Sequence, residues 1–159
     1  MSTDKKTIIL FSGDYDKAIA AFIIANGAAA MGDQVTMFFT FWGLDIIRKS
    51  KRVKTSGKSF LQNMFCRMMP RGPGKVGLSK MNFGGMGAPM MKILMKQQKA
   101  MSLDELIASA REQGVKFVAC TMTMDMIGFR KEELLDDIEY MGVAAYLAEA
   151  DEANVNLFI

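Results

Sequence analysis

The sequence contains no histidine. That absence excludes an imidazole general base, a Ser-His-Asp or Cys-His pair, and any histidine metal ligand. Cysteine occurs only as Cys66 and Cys120. Two thiols are too few for a disulfide scaffold in a chain of 159 residues, or for a four-thiolate zinc site. Neither a metal nor a cofactor is therefore expected, and a reducing, cytoplasmic setting is the default. Long apolar runs are missing too. A bilayer span needs roughly 18–20 apolar residues. The nearest candidate, Ala18 to Met31, is interrupted by Asn26 and Gly27 and flanked by Lys17 and Asp33, so it reads as a buried helix. The start is polar through Lys6, and no secretory signal is expected. Acidic residues are absent between Ile46 and Leu103, a window holding thirteen of the twenty Lys and Arg residues. The remainder carries seven basic residues against all seventeen acidic ones, a balance of −10. The chain reads as one acidic domain, 1–159, with a basic Gly/Met-rich insert at about 50–100.

The hydrophobic fraction of 50% suits a globular fold. Thr7 to Phe11 is a short apolar run that reads as a buried strand. Ser12-Gly13-Asp14 follows with turn and N-cap chemistry, and Asp14 to Met31 reads as a helix stopped by Gly32. Gln34 to Thr40 is a second strand, followed by Trp42-Gly43 and a short helix over Leu44 to Lys49. In the insert, Ser59 to Met69 and Met90 to Met101 read as helices, with loops at Pro70 to Gly74 and Asn82 to Gly87. Ser102 with Glu105 forms a capping box that starts a helix running to Gln113. Val115 to Cys120 is a third strand, and Thr121 to Gly128 a turn or short helix. Arg130 to Ile138 reads as helical, Glu139 to Met141 as a short strand, Val143 to Glu152 as a helix, and Val155 to Ile159 as a closing strand. Alternation of this kind predicts an α/β three-layer sandwich with an open, mainly parallel sheet of about five strands. Ligands in such sheets sit beyond the carboxyl ends of the strands. Ser12-Gly13-Asp14, Trp42-Gly43 and Cys120 all fall there.

Cys120 is the one plausible chemical centre. A thiol ending a strand and preceding a helical turn lies beside free backbone N–H groups, which favour the thiolate, and the thiolate is the nucleophile. Thr121 is the first residue of that turn. Asp125, five residues on, could hold the turn or handle a proton, or its charge could raise the thiol pKa. The alternative is an inert, buried cysteine, since free cysteine is among the most buried residue types.

The segment Ala119-Cys120-Thr121-Met122-Thr123-Met124-Asp125-Met126-Ile127-Gly128 resembles the DsrE/DsrF/DrsH-like sulfur-relay family. So do Ile8 to Lys17, Phe38 to Gly43, the Met-rich Gly/Pro insert and the close from Ala150 to Ile159. The resemblance covers essentially the whole chain. It implies an α/β sandwich that assembles into homo-oligomers and carries sulfane sulfur as a persulfide on a cysteine, here Cys120. The partners it implies are sulfur donor and acceptor proteins or low-molecular-weight persulfides. The basic insert could steer such anionic donors.

Other features have competing readings. Cys66, beside Arg67 and Arg71, could be a second sulfur acceptor or a resolving thiol, although a loop cysteine without a role is the preferred reading. Sixteen methionines, nine between Met64 and Met101, could bind Cu(I) by their thioethers, but a plastic interface with another subunit, a partner or a membrane fits better. Phe60, Phe65 and Phe83 are too sparse to be stacking platforms, so nucleic acid is not expected. Peripheral contact with an anionic membrane fits the insert better, as does a mobile lid over Cys120. Ser12-Gly13-Asp14 could take a phosphate, but the turn lacks the nucleotide-binding glycine signatures, and Asp14 as a helix cap is preferred. Asp14 or Asp45 could also face Cys120 across the strand ends.

Overall fold

Backbone groups buried with apolar side chains must find partners, and short apolar runs do so by pairing as strands. In the computed structural model, which describes residues 3–159, this happens five times. The elements are β1 (Lys5–Leu10), α1 (Tyr15–Ala30), β2 (Gln34–Phe39), α2 (Phe60–Met68), α3 (Gly87–Gln97), α4 (Leu103–Glu112), β3 (Lys116–Cys120), α5 (Thr121–Ile127), β4 (Glu139–Met141), α6 (Val143–Asp151) and β5 (Val155–Phe158). The strands form one sheet in the order β4-β3-β2-β1-β5, and every pairing is parallel. From β1 to β4 the chain steps along the sheet in one direction; from β4 to β5 it crosses back over the sheet. Right-handed crossovers therefore place α1 and α4 on one face and α6 on the other.

Strand alternation sorts the core to match. Ile8, Leu10, Val35, Met37, Phe39, Phe117 and Ala119 join Phe22, Ala25, Leu103 and Leu106 in one large cluster. Phe38, Val118 and Cys120 pack with Tyr146 of α6 in a second, smaller one. Phe22 meets Phe39 and Phe117 at ring-centroid distances of 6.1 and 5.7 Å. Burying such a ring stabilises the fold by about 1.5–3 kcal/mol. Helix α4 begins with the expected capping box: the Glu105 N–H donates to Ser102 Oγ, and the Ser102 N–H donates to Glu105 Oε2 at 2.7 Å. Ser59 and Gln62 make a second box at the start of α2.

Several local expectations change. Ala18 to Met31 is not buried all round: α1 buries Ala18, Ala21, Phe22, Ala25 and Ala28, spaced to fill one helical face, and exposes Ile23 and Ile24, with Met31 exposed at the C-cap. Asp14 stands at the N-cap, but its carboxylate makes no capping hydrogen bond and pairs instead with Lys17 at 2.9 Å. After β2 the chain forms a 3-10 turn over Phe41–Ile47, earlier than the helix expected from Leu44, because Gly43 is pressed against the end of β1 and its N–H donates to the Phe11 carbonyl. Helix α3 starts at Gly87 and ends at Gln97, before the positive φ of Lys99. Arg130 to Ile138 is not a helix. Only Lys131–Glu133 turns, Leu134 bridges antiparallel to Arg48, and the N–H groups of Lys49 and Leu135 donate across to Glu133 and Ile47. Burial of the Glu133 side chain and this pairing with residues 47–49 override the local helical pattern.

The insert contributes to the main core through Cys66, Met69 and Val76. It does not lie over Cys120 as a lid; α6 covers that face.

Candidate functional site

Cys120 is the last residue of β3 and the N-cap of α5. It pairs in register with Met141 at the end of β4. Alternation along β3 turns its side chain to the α6 face, where Phe38, Val118 and Tyr146 enclose it, with Ile9, Met141 and Ala150 alongside. Its exposure is 0%, and the thiol is free. The Tyr146 ring lies 4.6 Å from that of Phe38, and its hydroxyl is 3.0 Å from Thr7 Oγ1. Helix α6 is tied down further by Glu149, which accepts from Thr36 Oγ1 at 3.0 Å and from Lys116 Nζ at 2.5 Å. Tyr146 thus covers the thiol, while Glu149 pins α6 near the start of β3, at the other end of the strand; helix position alone gave no hint of that.

The residues proposed to support Cys120 are not gathered around it. Thr121 is adjacent along the chain and half-buried at the Gly142 turn. Asp125 is exposed on α5, and its backbone carbonyl accepts from Gln62 Nε2 at 3.0 Å. Ser12, Gly13 and Asp14 follow β1, two strands from β3, a lateral distance of about 10 Å. They line a separate cavity of about 510 Å³ with Trp42, Asp45 and Leu78. Gly13 is needed there because a Cβ would come within 2.8 Å of the Trp42 carbonyl oxygen. Thr40 and Thr123 join their hydroxyls at 2.9 Å, between the ends of β2 and β3.

Asp45 does not face Cys120. It belongs to a buried charge cluster that spans the insert and the 130–133 turn. Arg48, 1% exposed, reaches Asp45 Oδ1 and Glu133 Oε1 at 3.4 and 3.5 Å and donates to the carbonyls of Cys66 and Pro70 at 3.1 and 2.9 Å. Glu133, also 1% exposed, accepts from Lys58 Nζ at 2.5 Å and from Arg71 Nη2 at 3.4 Å. The Arg48 guanidinium lies 4.4 Å from the Phe129 ring centroid. Burial pushes the Asp45 carboxyl up to about 7, against the pull of Arg48 and Arg71. For Glu133, burial also pushes upward, but hydrogen bonds from Lys58 and the Arg130 N–H, with the charges of Lys58 and Arg48, outweigh it and hold the carboxyl below its ordinary range.

The second thiol sits beside this cluster. Helix α2 approaches α5 closely where Gly128, at φ 93°, leaves no room for a Cβ against Gln62. One turn further along α2, Cys66 Sγ donates to the Ile127 carbonyl at 3.4 Å and is 3% exposed. Cys120 and Cys66 therefore meet opposite ends of α5, whose seven residues rise about 10 Å. That exceeds disulfide reach.

Fold and thiol placement together define an open parallel α/β domain with a buried cysteine at a strand's carboxyl end. The chain belongs to the DsrE/DsrF/DrsH-like family, whose model matches residues 2–158. It is 60% identical over 157 residues to the uncharacterized protein YrkE of Bacillus subtilis (strain 168), covering 99% of this chain and 98% of that one. It is 36% identical over 165 positions to the sulfur carrier protein DsrE2 of Allochromatium vinosum, covering 100% of both. Among solved structures it resembles MTH1491 from Methanobacterium thermoautotrophicum, a protein of unknown function, with a TM-score of 0.58 and 11% identity over 98% of this chain and 99% of that one. It also resembles ychN from E. coli, with a TM-score of 0.53 and 10% identity over the same shares. The last two likenesses concern the fold alone.

Proposed function

We propose that this protein works in a sulfur relay and carries sulfane sulfur as a persulfide on Cys120. The observation that carries the reading is the position of Cys120, at the carboxyl end of β3 and the N-cap of α5, in a chain aligned end to end with a named sulfur carrier. The thiolate attacks the outer sulfur of a donor persulfide; the donor's S–S bond breaks, the donor leaves as its thiol, and Cys120–S–S⁻ remains, which passes its outer sulfur to an acceptor thiolate by the same exchange as Cys120 leaves. No cofactor is required.

Burial has a use in this scheme. Exchange depends on access to the sulfur, so a persulfide sealed under Tyr146 is shielded from adventitious thiols until the cover moves. Donor and acceptor proteins are the partners of this reading. Val143, Leu147 and Phe158, exposed on the α6 side of the sheet, supply an apolar surface for homo-oligomer formation. The cytoplasm is the setting we propose, since two unpaired cysteines suit a reducing compartment. Among the described residues, no helix is long and apolar enough to cross a membrane.

The test is intact-mass spectrometry after exposure to glutathione persulfide, with and without dithiothreitol. Wild type should gain about 32 Da, reversibly, and Cys120→Ser should lose that gain. Uptake on Cys120→Ser equal to wild type would remove Cys120 from the scheme.

A second reading, docking to a partner or an anionic membrane without chemistry, is favoured by the exposure of Phe60, Leu61, Met64 and Met68 on α2 and of Met90 and Leu94 on α3. Deleting the insert would remove core residues, so point changes are the cleaner probe. Co-sedimentation with anionic vesicles that Phe60→Ser and Met68→Ser abolish would support docking; none by wild type would end it.

A further inference from the structure

One cavity away from Cys120 combines excess positive charge, a buried donor without a partner, and a thiol. It measures about 340 Å³ and is walled by Arg52, Lys58, Arg67, Arg71, Glu133 and Cys66. Four cations meet a single carboxylate. That carboxylate is already committed, since Glu133 takes Lys58 on Oε2 and both Arg71 and Arg48 on Oε1. Arg52 and Arg67 stand exposed at the rim. Arg71 Nη1 is buried and, among the described residues, has no hydrogen-bond partner. A desolvated guanidinium N–H without an acceptor is unfavourable, and the planar fork of arginine is matched by an oxyanion presenting two oxygens. A protein carboxylate is not available to supply them: the other acid nearby, Asp45, faces Arg48. The volume admits a small ion with several waters, each occupying about 30 Å³.

We propose that this cavity binds a small divalent sulfur oxyanion of the thiosulfate type and that Cys66 takes its sulfane sulfur. The inference rests on the sulfur-relay reading and adds to it a second thiol and a donor class. The Cys66 thiolate attacks the sulfane sulfur. The bond from Cys66 Sγ to that sulfur forms as the S–S bond of thiosulfate breaks. Sulfite leaves with the electron pair and takes up the thiol proton as hydrogensulfite. Cys66–S–S⁻ remains, and no outside oxidant or reductant is consumed. Arg67 and Arg52 draw the anion in; Arg71 grips its oxygens and stabilises the charge that accumulates on the departing sulfite. The Cys66 thiol, which donates to the Ile127 carbonyl, must give up that hydrogen bond to react. Because Cys120 lies at the far end of α5, Cys66 is a separate station and does not resolve Cys120.

Two measurements on the full chain test this. In the first, sodium thiosulfate is titrated calorimetrically into Cys66→Ser/Cys120→Ser, which cannot react. Saturable binding is expected, competed by sulfate and weakened about tenfold or more in Arg67→Gln and Arg71→Met backgrounds. No binding, or binding unchanged by Arg67→Gln, would overturn the site; Arg67 at the rim is the safer change should Arg71→Met fail to fold. In the second, thiosulfate is added to Cys120→Ser. A dithiothreitol-reversible gain of about 32 Da, absent from Cys66→Ser/Cys120→Ser, is expected. Binding without that gain would overturn the transfer step. Failure of the Cys120 reading is seen separately, as absence of loading from glutathione persulfide in Cys66→Ser, and would leave the Cys66 site standing.

Discussion

Asp45 is a buried carboxyl whose titration should be visible in the stability of the whole protein. It is 2% exposed, its one ion-pair partner among the described residues is Arg48 at 3.4 Å, and burial raises it from 3.8 to about 7. The perturbation is Asp45→Asn, which keeps the shape and removes the titration. Between those two values the native state holds a proton that the unfolded chain has released. The stability contributed by Asp45 is therefore fully present below about pH 4, falls as pH rises, and is exhausted above about pH 7. At 1.36 kcal/mol per pKa unit, the swing is roughly 4 kcal/mol. Glu133 shifts the opposite way and loses its contribution as pH falls, but it is common to both proteins and cancels in the difference. The assay is urea unfolding of wild type and Asp45→Asn at fixed ionic strength from about pH 4 to about pH 8. Wild-type stability relative to the variant should fall across that range and then level off. A relative stability that rises with pH would refute the reasoning, because it would mean that the charge of Arg48 outweighs the burial of Asp45.

Three further outcomes are expected. Glu133→Gln removes the carboxylate that holds Arg48, Lys58 and Arg71, and should destabilise by about 3–5 kcal/mol in denaturant melts; a loss under about 1 kcal/mol would mean the three cations are solvated. Gly43→Ala places a Cβ 1.9 Å from the Leu10 carbonyl oxygen, so it should cost about 3 kcal/mol or prevent folding, read as loss of soluble protein or of thermal midpoint. Ser102→Ala removes the acceptor of the Glu105 N–H and should cost about 1 kcal/mol, a drop in urea midpoint that Ser102→Thr largely restores.

The sequence by itself determined the elements whose causes are local. Apolar runs of five to seven residues became β1, β2 and β3, and the Ser102–Glu105 spacing started α4 at Leu103. Alternation of strand and helix dictated an open parallel sheet, and placed Cys120 at a strand's carboxyl end. What only the tertiary structure decided are the contacts between distant segments. The cover of Cys120 comes from α6, which reaches the opposite sheet face only because β5 pairs with β1. The segment after Arg130 reads as helical until residues 47–49 and the burial of Glu133 claim it. Lys58 and Glu133 are 75 residues apart, and Cys66 and Ile127 are 61. A charge pattern along the chain reads such lysines and arginines as a solvated basic insert, and nothing local distinguishes Arg48 or Arg71 from Lys51. Asp45, alone at the edge of the acid-free window and three residues before Arg48, was the one sequence signal of the cluster. The physical reason is range: capping and strand alternation act over a few residues, whereas desolvation of a charge depends on everything that folds over it.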